Sequence, residues 1–381
     1  MPFVDEILKY KSLSIVGLEK NTGKTECLNY VLRRLEHSGR RLALTSVGVD
    51  GEKTDRVTGT AKPETELYKS LIFITSEKHF RQKRISAEIL EISNRSTALG
   101  RLITARALSR GKVMFSGPAD TIWLRQLIGK MDNYSVETTI VDGAISRVSH
   151  GSPAVTDSMI LNTGAAVSAS IPKLISHTKF VYEMIRIPVY EGIGSAVDEG
   201  GAGVPNDVEK AGSNSEIRTV GGIGNEPNKY MKVPESRKSL FECLLTKETG
   251  LYALDETGTI HDLNIPSVFL LKDHEQDLFR HGNTLFVTGA VSDRMLDFIR
   301  MQKFFKNTTL IIRDFTRLFV RPETYRAFIN SGHKLRVLLS TKLLAVCVNP
   351  VSPAGYVLNS KELCAGLSEA LQIPVYDIKK Q

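Results

Sequence analysis

The residues with the clearest chemistry lie between Ser12 and Thr25, in the string SLSIVGLEKNTGKT. An apolar β-forming run enters a loop that ends Gly23-Lys24-Thr25, and an amphipathic stretch follows at once. That is the context a phosphate-binding loop needs, with a strand before the glycines and a helix after them. Gly17, Asn21, Thr22, Gly23, Lys24 and Thr25 are the candidate binding residues. Gly23 lets the backbone close against phosphate oxygens. Successive amide N–H groups and the helix N-terminus make an anion nest. Lys24 has the reach for β- and γ-phosphates, and the Thr25 hydroxyl is a ligand for Mg²⁺. One departure stands out. The usual pattern puts its first glycine at position 18, which is Leu18, and the glycine comes one residue early, at Gly17.

Two acids are candidates to complete the site. VETTIVDG has the form of a buried strand that delivers Asp142 to its C-terminal end, where ligands of parallel sheets bind. There it would hold the Mg²⁺ shell. Asp50 ends the run LALTSVGVDGEKTD and is a second candidate, for Mg²⁺ or for orienting an attacking water; a turn before Gly51 explains it equally well. Asp55 is a weaker candidate in the same loop. Lys24, Asp50 and Asp142 are therefore the expected catalytic residues, and Thr25, Asp142 and Asp50 the expected metal ligands. Asp120 is expected to cap a helix. Asn162-Thr163-Gly164 could approach a base or form a tight turn. The Asn-Lys-x-Asp guanine signature is absent, which favours ATP. The eight histidines show no HxxxH or HExxH pair, against a protein-built transition-metal site.

These residues need a scaffold, and its outline is legible. Runs at Leu13–Val16, Leu42–Val47, Val113–Phe115, Thr139–Val141 and Met159–Leu161 alternate with amphipathic stretches, as in an α/β sheet with crossover helices. Leu28, Val31, Leu32 and Leu35 follow helical spacing, with Gly39 as the stop. The expected architecture is a P-loop NTPase-like parallel sheet with flanking helices over residues 1–190 and a second, smaller α/β domain over 236–381. A glycine-rich linker or insertion at 191–235 separates them. Within it, nine of the 39 residues 191–229 are glycine, too little apolar surface to offset ordering. In the second half, LYAL and TIHDL flank a turn at Asp255–Gly258. Strands are expected at 267–271, 284–287, 310–312, 335–339, 345–348 and in the terminal IPVYDI, with helices near 293–303, 322–330 and 361–371.

Composition narrows the function. The 381 residues carry 50 Lys+Arg and 42 Asp+Glu, a net charge of +8. All of the excess lies in residues 1–190, and Arg81–Lys112 alone holds eight basic side chains against Glu88 and Glu91. Such a cluster meets an anion, an acidic partner or only water. It has a single aromatic, Phe80, at its edge, which argues against single-stranded nucleic acid. No apolar run reaches the ~20 residues of a membrane span. No secretory signal is visible, and four scattered cysteines without a CxxC suit a reducing cytoplasm.

Several strings resemble a known family: SIVGLEKNTGKTECLNYVL, SVGVDGEKTD, RSTALGRLITARALSRGKV, SGPADTIWL, TTIVDGAISR and GSPAVTDSMILNTGAA. They are similar to the KamB-type P-loop subunit of the reactivase that serves lysine 5,6-aminomutase. The resemblance is close over residues 1–190 and looser through HDLNIPSVFLL, GNTLFVTGAVSD and GYVLNSKEL. It implies an ATP- and Mg²⁺-dependent helper of an adenosylcobalamin enzyme, releasing damaged cobalamin together with a MutS-like ATPase partner subunit. The second half carries no catalytic motif, and partner docking is expected of the C-terminal domain on that ground. The chain lacks an Asp-x-His-x-x-Gly cobalamin motif, as suits a helper. Two other classes stay open: an ATP-dependent ligase or kinase resembling dethiobiotin synthetase, and a nucleotide-gated binding module.

Overall fold

A computed structural model describes residues 2–48, 65–118, 120–144, 155–192, 240, 243–247, 249–265, 271, 274–302 and 307–380. Asp50, Asp55, most of the 191–235 segment and the strand expected at 267–271 lie outside the described residues, apart from Glu191, Gly192 and Leu271. In chain order the strands are β1 (Ser12–Gly17), β2 (Leu42–Ser46), β3 (Thr65–Leu67), β4 (Ile72–Ser76), β5 (Ala87–Thr97), β6 (Gly100–Ala107), β7 (Gly111–Val113), β8 (Thr138–Ala144) and β9 (Ser158–Gly164). They continue as β10 (Leu251–Leu254), β11 (Ile260–Asp262), β12 (Thr284–Val287), β13 (Val291–Ser292), β14 (Thr309–Ile312), β15 (Leu318–Phe319), β16 (Lys334–Val337), β17 (Lys342–Asn349) and β18 (Val375–Asp377). The helices are α1 (Phe3–Ile7), α2 (Lys24–Leu35), α3 (Glu77–Arg81), α4 (Thr121–Lys130), α5 (Ile171–Ile185), α6 (Glu275–Leu278), α7 (Asp293–Arg300), α8 (Pro322–Asn330) and α9 (Ser360–Leu371).

A nine-stranded sheet organises the first part, in the order β18-β17-β9-β1-β8-β2-β4-β6-β5. From β18 to β4 every neighbouring pair is parallel, and β6 and β5 add an antiparallel ribbon at one edge. β1, β2, β4 and β9 are buried along their whole lengths. That is why they read as unbroken apolar runs: helices cover both faces of a parallel sheet. Helix α2 lays Leu28, Val31, Leu32 and Leu35 on one face, all buried as the spacing requires. The chain is a mixed α/β protein. No helix among the described residues is long and apolar enough to cross a membrane.

A five-stranded sheet, β11-β10-β12-β14-β16, forms the second unit. Its β10–β11 hairpin turns where Asp255 and Gly258 predict. The Asp255 carboxylate accepts from the Thr257 and Thr259 amides, and Gly258 is left-handed at φ +86°. β12, β14 and β16 are parallel, with α7 and α8 between them in sequence.

The sheets do not follow the boundary expected at residue 236. β17 and β18 pair into the first sheet, β17 lying parallel to β9 with Val346 level with Leu161. Residues 342–377 therefore complete the N-terminal sheet and do not belong to a separate C-terminal domain. The physical reason is burial. The run LLAVCV is apolar on both faces, and Ala345–Val348 are buried between β9 and β18.

Two predictions follow from this packing. Deleting residues 342–381 opens an apolar edge on β9 and uncovers Leu161 and Met159. The truncated chain is expected to lose its cooperative thermal transition, and a sharp melt near that of the full chain would contradict it. The second concerns pH. Burial holds the His79 and His333 imidazoles below the ordinary histidine value of 6.5. The folded state then binds fewer protons than the unfolded one in mild acid. Their contribution is complete above about pH 6.5 and is lost as pH falls toward the folded values. The urea midpoint should drop between about pH 7.5 and pH 5.5; a rise on acidification would contradict this.

Candidate functional site

The candidate site is assembled at the C-terminal ends of β9, β1 and β8, beside β17. β1 delivers Gly17 and then the loop 18–23. Thr22 folds back into this loop, buried, with its hydroxyl donating to the Glu19 carbonyl at 2.9 Å. A Cβ at Gly17 would stand 2.5 Å from that hydroxyl oxygen. The early glycine is thus the residue that makes room for Thr22, and Leu18 at the usual glycine position is a buried core residue. The Leu18 amide donates to the Asn162 carbonyl at 2.9 Å.

Two residues of the loop are left-handed: Asn21 at φ +62° and Gly23 at φ +88°. Gly23 is the N-cap of α2 and makes no side-chain cap bond. The first amides of this 12-residue helix therefore have no intrahelical partner, the arrangement that receives an anion. Lys24 opens the helix and turns toward β8. Its Nζ lies 3.2 Å from the Asp142 carboxylate, and both side chains are largely buried, 18% and 14% exposed. β1 and β8 are adjacent and parallel with Ile15 level with Asp142, so the sheet register brings this acid to the loop. Thr25 sits half-buried in the first helical turn.

Residues from the far end of the chain hold the loop. The Asn349 amide donates from Nδ2 to the Asn21 carbonyl at 3.0 Å. A Cβ at Gly23 would lie 2.9 Å from the Asn349 Cβ. Asn349 is itself fixed, accepting at Oδ1 from the Val351 amide and at its carbonyl from the Ala165 amide. Sequence reasoning missed it. The signal was an apolar run ending in Asn-Pro, but that run had been assigned to a different domain.

Other sequence candidates are resolved as follows. Asp120 caps α4, accepting from the Trp123 amide at 2.6 Å. Asn162 is fully buried and donates to the Val16 carbonyl at 3.1 Å, so it braces the exit of β1 and does not face a base. Gly117 allows a close approach, since a Cβ there would meet the Ser46 carbonyl at 1.8 Å. Ser46 and Val47 in turn bond the Asp142 carbonyl, fixing the backbone of that acid. Among the described residues no group of three or more His, Cys, Asp or Glu could hold a metal. The basic stretch Arg81–Lys112 finds partners inside the chain: Arg101 pairs with Glu77, Arg106 with Glu88, and Arg110 with Glu36. No protein-family model, curated protein or solved structure matches the chain.

The geometry makes Gly23 the most sensitive loop residue. Gly23→Ala is expected to destabilise the fold by about 1–2 kcal/mol through the left-handed backbone alone. The Asn349 clash adds to this. Urea unfolding measures it, and an unchanged midpoint would show that the loop does not hold this conformation.

Proposed function

We propose that the chain is an ATP-binding and ATP-hydrolysing protein of the P-loop NTPase type, acting as the reactivation helper of an adenosylcobalamin-dependent aminomutase. The observation that carries the nucleotide reading is the Lys24–Asp142 pair at 3.2 Å, set beside a left-handed Gly23 at the open N-terminus of α2. A lysine at a helix start facing an acid near the end of the neighbouring strand supplies the two charges that a triphosphate and its cation require. The residues fit the group. Gly17 and Gly23 let the loop close on Thr22 and Asn349, and the helix amides supply donors.

In this reading Lys24 exchanges Asp142 for phosphate oxygens, and the acid is freed to hold the hydrated cation with Thr25. Mg²⁺, when bound, would supply positive charge against the phosphates of the nucleotide. Asn349 engages the Asn21 carbonyl, so that carbonyl is already paired when an anion binds. Asp50 remains the candidate for positioning water. The helper role rests on the sequence resemblance alone, including the MutS-like partner subunit and release of damaged cobalamin from lysine 5,6-aminomutase. ATP binding favours one conformation of the complex and hydrolysis returns the other.

The test is ATP turnover by wild type and Lys24→Ala, with and without lysine 5,6-aminomutase and the partner subunit. Stimulation by the mutase, lost at least about 100-fold in Lys24→Ala, is expected. Equal turnover in Lys24→Ala would overturn the assigned site. Turnover that needs a small acceptor and no protein would favour the ligase or kinase class.

A further inference from the structure

The β5–β6 ribbon and helix α4 enclose a groove of about 200 Å³ that the phosphate site does not use. β5 is the fifth strand along from β1 in the sheet. At about 4.8 Å per strand, roughly 24 Å separates the two sites. Strand β5 contributes Glu91, Asn94 and Arg95, and α4 contributes Trp123, Gln126 and Lys130. Leu102 and Leu127, both buried, add apolar surface.

Arg95 is the informative residue. Its guanidinium carbon sits 4.3 Å from the centre of the Trp123 ring. Stacking occupies the flat face of a guanidinium and leaves its in-plane N–H donors available. Among the described residues no carboxylate pairs with it, unlike Arg101, Arg106 and Arg110 nearby in sequence. The one acid of the groove, Glu91, is engaged elsewhere. It accepts from Lys130 Nζ at 2.9 Å and from the Tyr134 hydroxyl at 2.9 Å. Arg95 and Lys130 against Glu91 leave a single positive charge, carried by a rigid planar fork above an apolar wall.

We propose that this groove binds a small monocarboxylate with a short apolar tail. The carboxylate takes the two parallel donors of Arg95, and the tail lies on Leu102 and Leu127. A guanidinium fork pairs bidentately with a carboxylate, and the apolar lining with one net positive charge favours an apolar monoanion over the strongly hydrated phosphate. Asn94 and Gln126 supply further amide donors. The net charge of the groove suits one carboxylate and disfavours two.

The chain offers its own reporter, because Trp123 is its only tryptophan. Intrinsic emission of the full-length protein is titrated with acetate, butyrate, benzoate, succinate, inorganic phosphate and an oligoglutamate peptide at constant ionic strength. Expected is a saturable change with butyrate or benzoate, at a Kd of about 1 mM or tighter, and a weaker response to acetate and succinate. Arg95→Gln should abolish it and Arg95→Lys should weaken it at least tenfold, whereas Lys24→Ala should leave it intact. Calorimetry on the same variants checks the fluorescence. Absence of a saturable response would overturn the proposal. So would a response confined to phosphate or to the peptide, or one that persists in Arg95→Gln.

Discussion

The loop between β1 and α2 depends on one contact made from 328 residues away, the Asn349 amide on the Asn21 carbonyl. Asparagine enters the left-handed region more readily than other side chains, because its short amide bonds locally. Asn21 does so, and Asn349 bonds its carbonyl while packing on Gly23. A second contact reinforces the first. Cys27, on the first turn of α2, lies with its sulfur 3.9 Å from that of Cys347 on β17, both fully buried. Helix α2 is thus seated on β17 at two points, one turn apart. The loop geometry is a property of the completed sheet as well as of the loop sequence.

Much of this was legible in the sequence because burial writes itself locally. A strand buried on both faces is a continuous apolar run, and β1, β2, β8, β9, β12, β14 and β17 were all visible that way. An amphipathic helix shows its period, as α2 does. The β5–β6 ribbon was not visible. Its β5 strand mixes exposed and half-buried residues without regular alternation, carries Glu88, Glu91 and Arg95, and shifts register between Ile89 and Glu91 and again between Ile92 and Ser96. Each bulge breaks the period of two on which strand recognition rests. Strand partners are invisible for a different reason. Nothing in LLAVCV states that it pairs with β9 across an intervening unit, so its sheet was misassigned and Asn349 was overlooked. Lys24 and Asp142 were found because glycine-bounded loops and strand-terminal acids are local patterns.

The charge distribution takes on a different meaning in three dimensions. The basic stretch looked unopposed because its acids lie elsewhere in the sequence, at Glu36, Glu66 and Glu77. These are mostly exposed pairs, each worth little to stability. Their consequence is that much of the cluster is already satisfied and needs no external anion. Of the others, Arg95 lies over the Trp123 ring and Lys83 over Phe80.

The second α/β unit occupies a place that explains how the fold tolerates it. β9 and β17 are neighbours, and in an ordinary α/β protein one helix would join them. Here α5 makes the return, and residues 187–341 are inserted before β17 begins. β17 starts level with the start of β9, Lys342 beside Ser158. The insertion therefore enters and leaves at the end of the sheet opposite Gly17, Asn162 and Asn349. It is anchored on α5, where Phe180 meets Tyr325 edge-on and Glu183 faces Arg326. The unit also packs into the core of the first sheet, where Phe315 joins the buried cluster of Val16, Leu18 and Val348. β17 leaves that unit and ends on Asn349, the residue that clamps the loop, so one strand joins the inserted unit to the loop directly.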